Sequence, residues 1–337
     1  MRILVVGHGL IGKQRARAVV ELAGTHDVTL AGTVDPAPRP AELYGGAPHY
    51  LRLEDAPPAS YDAAIIALPH DLAPAVALTV AAANRPFLIE KPFGRTADEA
   101  RAIAGPARAE SFVGYNYRFL PNVREALRRA ASGELGRLRS ADLFIGHGGH
   151  PRSAEGWKLD PVRAGGGALI DPGVHLLDLL RCLEPALEVR HAEATSGFWG
   201  TGVEEDLAVI LGHGSLIATV RVSLVRWVNG FRVELVGEDG YALAEGRGGN
   251  YGPLRLRLGR RWAWNDGRGR SQRETEQVKD FGEHDPSLTR ELEAVLARWT
   301  GRPPPDAGVP PATLADGLAT AELCDAMYAA LHGNVRR

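Results

Sequence analysis

The chain has 337 residues, 45% of them hydrophobic and 24% charged, with a formal net charge of -2. That length suits two domains with separate cores, and the composition excludes extensive disorder. Near-neutral charge gives no footprint for nucleic acid or an anionic membrane, and no apolar run approaches the roughly 20 residues that span a bilayer.

The chain enters a strand at once, Arg2–Val6, whose apolar run is too short for a signal-peptide core. Short apolar strands then alternate with helical patterns. The strands are Val28–Val34, Ala63–Leu68, Phe87–Ile89 and Ser111–Gly114; the helices are Leu10–Leu22, Ala73–Ala83 and Thr96–Arg108. Such alternation predicts a parallel, doubly wound α/β sheet covered on both faces. Thr96 followed by Glu99 forms a capping-box pattern, which starts a helix just after Glu90-Lys91-Pro92-Phe93-Gly94.

The texture changes after about Asn122. Helices are expected at Val123–Ala131 and Leu169–Leu183. Strands follow at Val189–Ser196, Asp206–Leu211, Ser215–Val225, Phe231–Val236 and Tyr241–Glu245, turning at His213-Gly214 and Glu238-Asp239-Gly240. Consecutive hairpins predict an α+β domain built on a large, mainly antiparallel, open sheet. The basic-looking stretch Gly259–Arg273, interrupted by Trp262, Trp264 and Asp266, reads as a solvated hairpin or loop rather than a polyanion site. Helices near Leu288–Trp299 and Pro311–Leu331 flank the proline-rich linker Gly301–Pro311. The expected domains are therefore 1–118 and 119–337, with the last helix, about 311–331, packing back toward the first.

Gly7-His8-Gly9-Leu10-Ile11-Gly12 follows the first strand and opens a helix. In that context the glycines are a dinucleotide fingerprint. Gly7 makes the turn, Gly9 admits a pyrophosphate, Gly12 lets helix and strand pack, and the helix N-terminus faces the phosphate charge. Asp35, at the end of the second strand, stands where an acidic ribose ligand is expected. It favours NAD, with NADP as the alternative if Arg39 swings to a 2′-phosphate; a mere loop-capping role before Pro36 is the lesser alternative. Leu68, Pro69, His70, Glu90 and Lys91 lie at the carboxyl ends of later strands, the edge where cofactors bind.

Lys91, Asp171 and His175 are the catalytic candidates. Asp171 and His175 are four apart in an expected helix and so share one face. An imidazole can take a hydroxyl proton, a carboxylate can orient it, and an ammonium can stabilise alkoxide charge. Read singly, His175 is as well explained as a satisfied core histidine, and Lys91 as a surface lysine.

These motifs resemble the Gfo/Idh/MocA family of oxidoreductases. The resemblance covers essentially the whole chain: the glycine turn, Glu90-Lys91-Pro92, Gly114-Tyr115-Asn116-Tyr117-Arg118-Phe119, Trp157, Gly165-Gly166-Gly167, Asp171 and His175, and Gly301-Arg302-Pro303-Pro304 before the final helix. It implies that Lys91, Asp171 and His175 are catalytic, that the Lys91–Pro92 peptide is often cis, and that substrates are sugars, cyclitols, nucleotide sugars or their keto forms. It also implies a homodimer or homotetramer. One departure is Leu68-Pro69-His70-Asp71-Leu72-Ala73, where the family often has Asn after the proline and a later His.

Asn116, Arg118, His147, Trp157, Lys158 and Arg163 are candidate substrate contacts, with structural or solvated roles as the alternatives. Asp178 reads as structural. His147 and His150 lack a nearby carboxylate or cysteine pair, so no metal site is expected. Cys182 and Cys324, far apart in apolar patterns, read as buried thiols of a cytoplasmic protein. The function expected is hydride transfer between a nicotinamide and a polyhydroxylated small molecule. Redox-neutral elimination or glycoside hydrolysis, and a non-catalytic sugar or cofactor sensor, are the alternatives.

Overall fold

The structure, a computed structural model, describes residues 1–40, 43–149, 156–260, 276–303 and 308–333. It divides into two compact units. The first comprises Met1–Asn116, Val162–Gly165 and Leu288–Ala321; the second comprises Tyr117–Pro161, Gly166–Ser287 and Glu322–Arg337. The chain thus passes between units several times, where the sequence suggests one boundary at 118.

The first unit is built on a seven-stranded sheet. Its strands are β1 (Arg2–Val6), β2 (Thr29–Val34), β3 (His49–Tyr50), β4 (Ala63–Ile66), β5 (Phe87–Glu90), β6 (Phe112–Gly114) and the distant β15 (Ala312–Thr313). The order from one edge is β3-β2-β1-β4-β5-β6-β15, and every pairing is parallel except β15 on β6. That is the doubly wound dinucleotide-binding order, and its switch point falls between β1 and β4. Helices α1 (Leu10–Leu22), α2 (Ala73–Ala82) and α3 (Ala97–Ala104) connect the strands. Ile3 through Val6 are all buried, as a sheet covered on both faces requires. Thr96 caps α3 by accepting from the Glu99 amide at 3.2 Å, while the Glu99 carboxylate accepts from the amide of Arg95 instead of Thr96.

The last segment departs from a single helix over Pro311–Leu331. Its first residues pair with β6 as β15, and the helix, α8, runs Leu314–Gly333. This edge strand and helix α7 (Ser287–Thr300), whose Leu292, Val295 and Leu296 join the core of Ile3, Val5, Ile65 and Leu88, assign 288–321 to the first unit.

The second unit contains an eight-stranded sheet, β14-β13-β12-β11-β7-β10-β9-β8. Its strands are β7 (Leu138–Gly146), β8 (Glu188–Thr195), β9 (Asp206–His213), β10 (Leu216–Ser223), β11 (Gly230–Gly237), β12 (Gly240–Glu245), β13 (Arg255–Arg260) and β14 (Gln277–Asp280). All neighbours are antiparallel except β10 with β7. Sequence reading misses β7, the central strand, because Arg139, Ser140 and Asp142 interrupt its apolar run. Helices α4 (Pro121–Ala131) and α6 (Val174–Leu183) pack on the other face, over buried Leu143, Val220, Val233 and Leu235. The short turn α5 spans Pro161–Ala164. Residues 261–273 of the basic stretch, His150 and residues 304–307 of the linker lie outside the described residues.

Candidate active site

In the first unit, Gly7 adopts φ +94°, and a Cβ there would lie 2.1 Å from the Ala67 carbonyl oxygen. At Gly12 a Cβ would lie 1.9 Å from the Gly7 oxygen. These two glycines are required by the protein's own packing. Gly9 differs: nothing lies within 4 Å of its added Cβ. It is the N-cap of α1 with no side-chain cap and no acidic residue in the first turn, and Leu10 beside it is exposed. Uncapped amides and an open approach at the start of this helix are what a pyrophosphate needs, so the cradle fits a dinucleotide. Ile11 is half-buried behind it.

The Asp35 carboxylate accepts from the amides of His8 at 2.7 Å and Ala37 at 2.9 Å. It is therefore fixed at the end of β2. Arg39 is committed elsewhere: Nε donates to the Thr33 hydroxyl at 2.7 Å, and the guanidinium donates to the carbonyls of Leu43, Ala47 and Pro48. Swinging to a 2′-phosphate would forfeit those bonds. Leu68 and Pro69 are half-buried past β4, and His70 is buried, its Nδ1 2.9 Å from the Ala164 carbonyl oxygen. Glu90 receives Arg15 Nε at 2.7 Å, and Arg15 also pairs with Glu291 at 2.5 Å. Burial opposes the charge on Arg15, yet the two carboxylates hold its pKa above the ordinary value. Glu90 is thus tied to Arg15, and the next residue, Lys91, is half-buried ahead of a cis Lys91–Pro92 peptide.

In the second unit the expectation of one helix over Leu169–Leu183 is corrected. The turn Leu169–Gly173 is broken at Asp171, which is extended at φ -148° and ψ 102°, and α6 begins at Val174. A residue before proline is pushed out of the helical region, and Pro172 imposes that here. Asp171 and His175 therefore do not share a helical face through regular geometry. Asp171 instead forms an ion pair with Lys158 at 2.6 Å. The Lys158 ammonium also lies 5.9 Å from the Trp157 ring centroid.

His175 is buried and stacks on Tyr117, with ring centroids 3.9 Å apart and planes 10° from parallel. Burial pushes the Tyr117 hydroxyl well above its usual range, so it stays protonated. Tyr117 also meets Arg247, whose guanidinium carbon is 4.9 Å from its ring and 4.6 Å from that of Tyr251. His147 is half-buried, and desolvation lowers its pKa. Sequence reading found neither Tyr117 as a site residue nor Arg247. The signal available for Arg247 is a lone cation inside Gly246-Arg247-Gly248-Gly249.

The remaining candidates are placed as follows. Arg118 forms a buried two-pronged pair with Asp178, at 2.7 and 2.6 Å. Arg163 pairs with Asp71 at 3.0 Å within the first unit. Asn116 is half-buried at the end of that unit. Among the described residues no group of three His, Cys, Asp or Glu side chains is arranged to hold a metal.

Comparisons with known proteins bear on both units. A model described as an oxidoreductase family with an NAD-binding Rossmann fold matches residues 1–115, and a model of the GFO/IDH/MocA C-terminal domain matches residues 123–243. The rhizopine catabolism protein MocA of Rhizobium meliloti is 30% identical over 204 residues, 58% of this chain and 61% of that protein. Levoglucosan dehydrogenase of Pseudarthrobacter phenanthrenivorans is 31% identical over 123 residues, 35% of this chain and 32% of that protein. The chain thus aligns with less than two thirds of either relative. A solved structure of levoglucosan dehydrogenase, in complex with NADH and levoglucosan, superposes with a TM-score of 0.81 at 18% identity, covering 99% of this chain and 97% of that one. At that identity the likeness speaks for the fold.

Proposed function

Because the chain belongs to the Gfo/Idh/MocA family of oxidoreductases, we propose that it transfers a hydride between NAD(H) and a hydroxyl-bearing carbon of a sugar or cyclitol, or its keto form. The observation that carries this reading is the open cradle at Gly9, at the switch point of the first sheet and beside a carboxylate fixed for a ribose. The nicotinamide, when bound, supplies the hydride acceptor or donor.

This chain's residues manage the rest. His175 Nε2 or Nδ1 takes the hydroxyl proton during oxidation and returns it during reduction. The Lys91 ammonium stabilises the alkoxide-like charge on the reacting oxygen. Asp171 holds Lys158 and biases the electrostatics around the imidazole. Asp35 selects NAD by accepting from the ribose 2′-OH and repelling a 2′-phosphate. Trp157 offers a ring face on which a sugar can stack.

Homo-oligomerisation through the open face of the second sheet belongs to the same reading. A row crosses that face from Ile210 through Thr219, Asp142, Glu234, Leu243 and Arg257 to Val278, and Ile210, Ile217 and Val278 are exposed on it. Covering it would remove apolar side chains from water. Among the described residues no helix is long and apolar enough to cross a membrane, and the half-buried Cys182 and buried Cys324, outside any disulfide, fit a reducing cytoplasm.

The test is incubation of the purified protein with NAD+ and a panel of aldoses, anhydrosugars and cyclitols. Stoichiometric NADH and a ketone product are expected. Product without net NADH would replace this reading with redox-neutral elimination; NADH binding without turnover of any member would favour a sensor.

A further inference from the structure

Arg247 stands out among the cations of the second unit. Its guanidinium rests on the rings of Tyr117 and Tyr251, and Nη1 donates to the Tyr117 hydroxyl. Its Nε is buried without a hydrogen-bond partner among the described residues, and no described carboxylate lies within ion-pair distance. Arginines of the open sheet face are paired differently: Arg221 with Asp206, Arg232 with Glu234 and Arg257 with Glu245. A half-buried cation held by two aromatic faces and one hydroxyl is costly, since these contacts recover part of the lost hydration and leave a donor unused.

The backbone holds this cation firmly. An added Cβ at Gly246 would lie 2.0 Å from the Pro253 carbonyl oxygen, and one at Gly248 would lie 2.6 Å from that of Glu283. Both residues have positive φ, so the loop around Arg247 is seated against its neighbours. Tyr117 is the shared element, touching Arg247 and stacked on His175. Two acids whose charges act on Tyr117 have their own partners: Asp171 holds Lys158 at 2.6 Å, and Asp285 accepts from the Ser287 amide at 2.8 Å.

We propose that Arg247 is a specificity-determining residue that binds an oxyanion on the substrate, so that the sugar taken by this chain carries a carboxylate or a phosphate. The proposal rests on the oxidoreductase reading and narrows it from polyhydroxylated molecules in general to acidic ones. An oxyanion at the half-buried guanidinium would meet the planar donor geometry that arginine favours, and would supply the missing counter-charge. A uronate and a sugar phosphate share that chemistry, and the experiment separates them.

The experiment is calorimetric titration of the protein–NADH complex with D-glucose, D-glucuronate and D-glucose 6-phosphate, at low and moderate salt. The acidic probe of the right kind should bind about ten- to a hundredfold more tightly than glucose, as expected for a hydrogen-bonded charge pair. A gain confined to glucuronate identifies a carboxylate, and one confined to the phosphate identifies a phosphoryl group. Arg247→Met should erase the gain while leaving NADH affinity unchanged, and Arg247→Lys should keep part of it. Should neither acid bind more tightly than glucose to the unaltered protein, the proposal is overturned, whether or not the variants fold. Retained NADH binding and turnover of a neutral sugar in that case would leave the oxidoreductase reading standing.

Discussion

Tyr117 lies flat against His175, with ring centroids 3.9 Å apart, and its ring also meets the guanidinium of Arg247. An aromatic stack of this kind contributes roughly 0.5–1.5 kcal/mol beyond burial and fixes the plane of the imidazole. Replacing Tyr117 by Leu should therefore lower kcat more than it raises KM for the panel's best substrate. A Tyr117→Phe variant, which keeps the ring and loses only the hydroxyl contact with Arg247, should retain most of the rate. Equal losses in both variants would place the importance in the hydroxyl rather than in the stack.

Turnover should depend on His175 and Lys91 in the same way. His175→Ala should lower it by about 10²–10⁴, the range for loss of a positioned acid–base group. Lys91→Ala should also slow the chemical step, and His175→Ala should bind NADH normally, since His175 is not among the cofactor-binding candidates. Near-normal rates in both would remove them from the chemistry.

The glycines predict two different phenotypes. Gly9→Val should abolish NADH binding yet melt like the unaltered protein, because its Cβ points into open space. Gly12→Ala should instead lower the melting temperature, because its Cβ would collide with the Gly7 carbonyl. Thermal denaturation with and without NADH distinguishes the two.

Cofactor choice should follow Asp35. Asp35→Ser should narrow the NADH-over-NADPH preference, by relieving repulsion and by loosening the His8 amide that the carboxylate holds. Removing Arg39 should leave NADPH affinity nearly unchanged while destabilising the loop it ties. Tighter NADPH binding by the unaltered protein would overturn the assignment.

His147 supplies the pH prediction. Desolvation lowers its pKa, Lys158 and Arg247 lower it further, and Asp171 works against them. A folded-state pKa below the unfolded value means that the native protein binds fewer protons. Its contribution to stability is therefore present above the unfolded histidine pKa and is lost as pH falls through that value toward the folded one. Ring-proton NMR should show His147 titrating below the ordinary histidine value, and Arg247→Met should move it upward. A titration at or above the ordinary histidine value would contradict the burial of this ring.

What the sequence determined by itself is the local chemistry of the first unit. The strand–glycine–helix run, the acid ending β2 and the Glu90-Lys91-Pro92 turn are contiguous in the chain, so their geometry follows from short-range sterics, and the alternation of strands and helices predicts the parallel sheet. Tertiary structure alone decided what depends on residues distant in sequence. Strand β7 is half polar and becomes central only through its partners on both sides. The segment after Pro310 joins the first sheet because β6 offers an unpaired edge. Asp171 left the helical face because Pro172 excludes its predecessor from helical dihedrals, and it then paired with Lys158, thirteen residues earlier. The Tyr117–His175 stack and the cation of Arg247 rest on side chains brought together from three separate segments, and no local pattern encodes such a meeting.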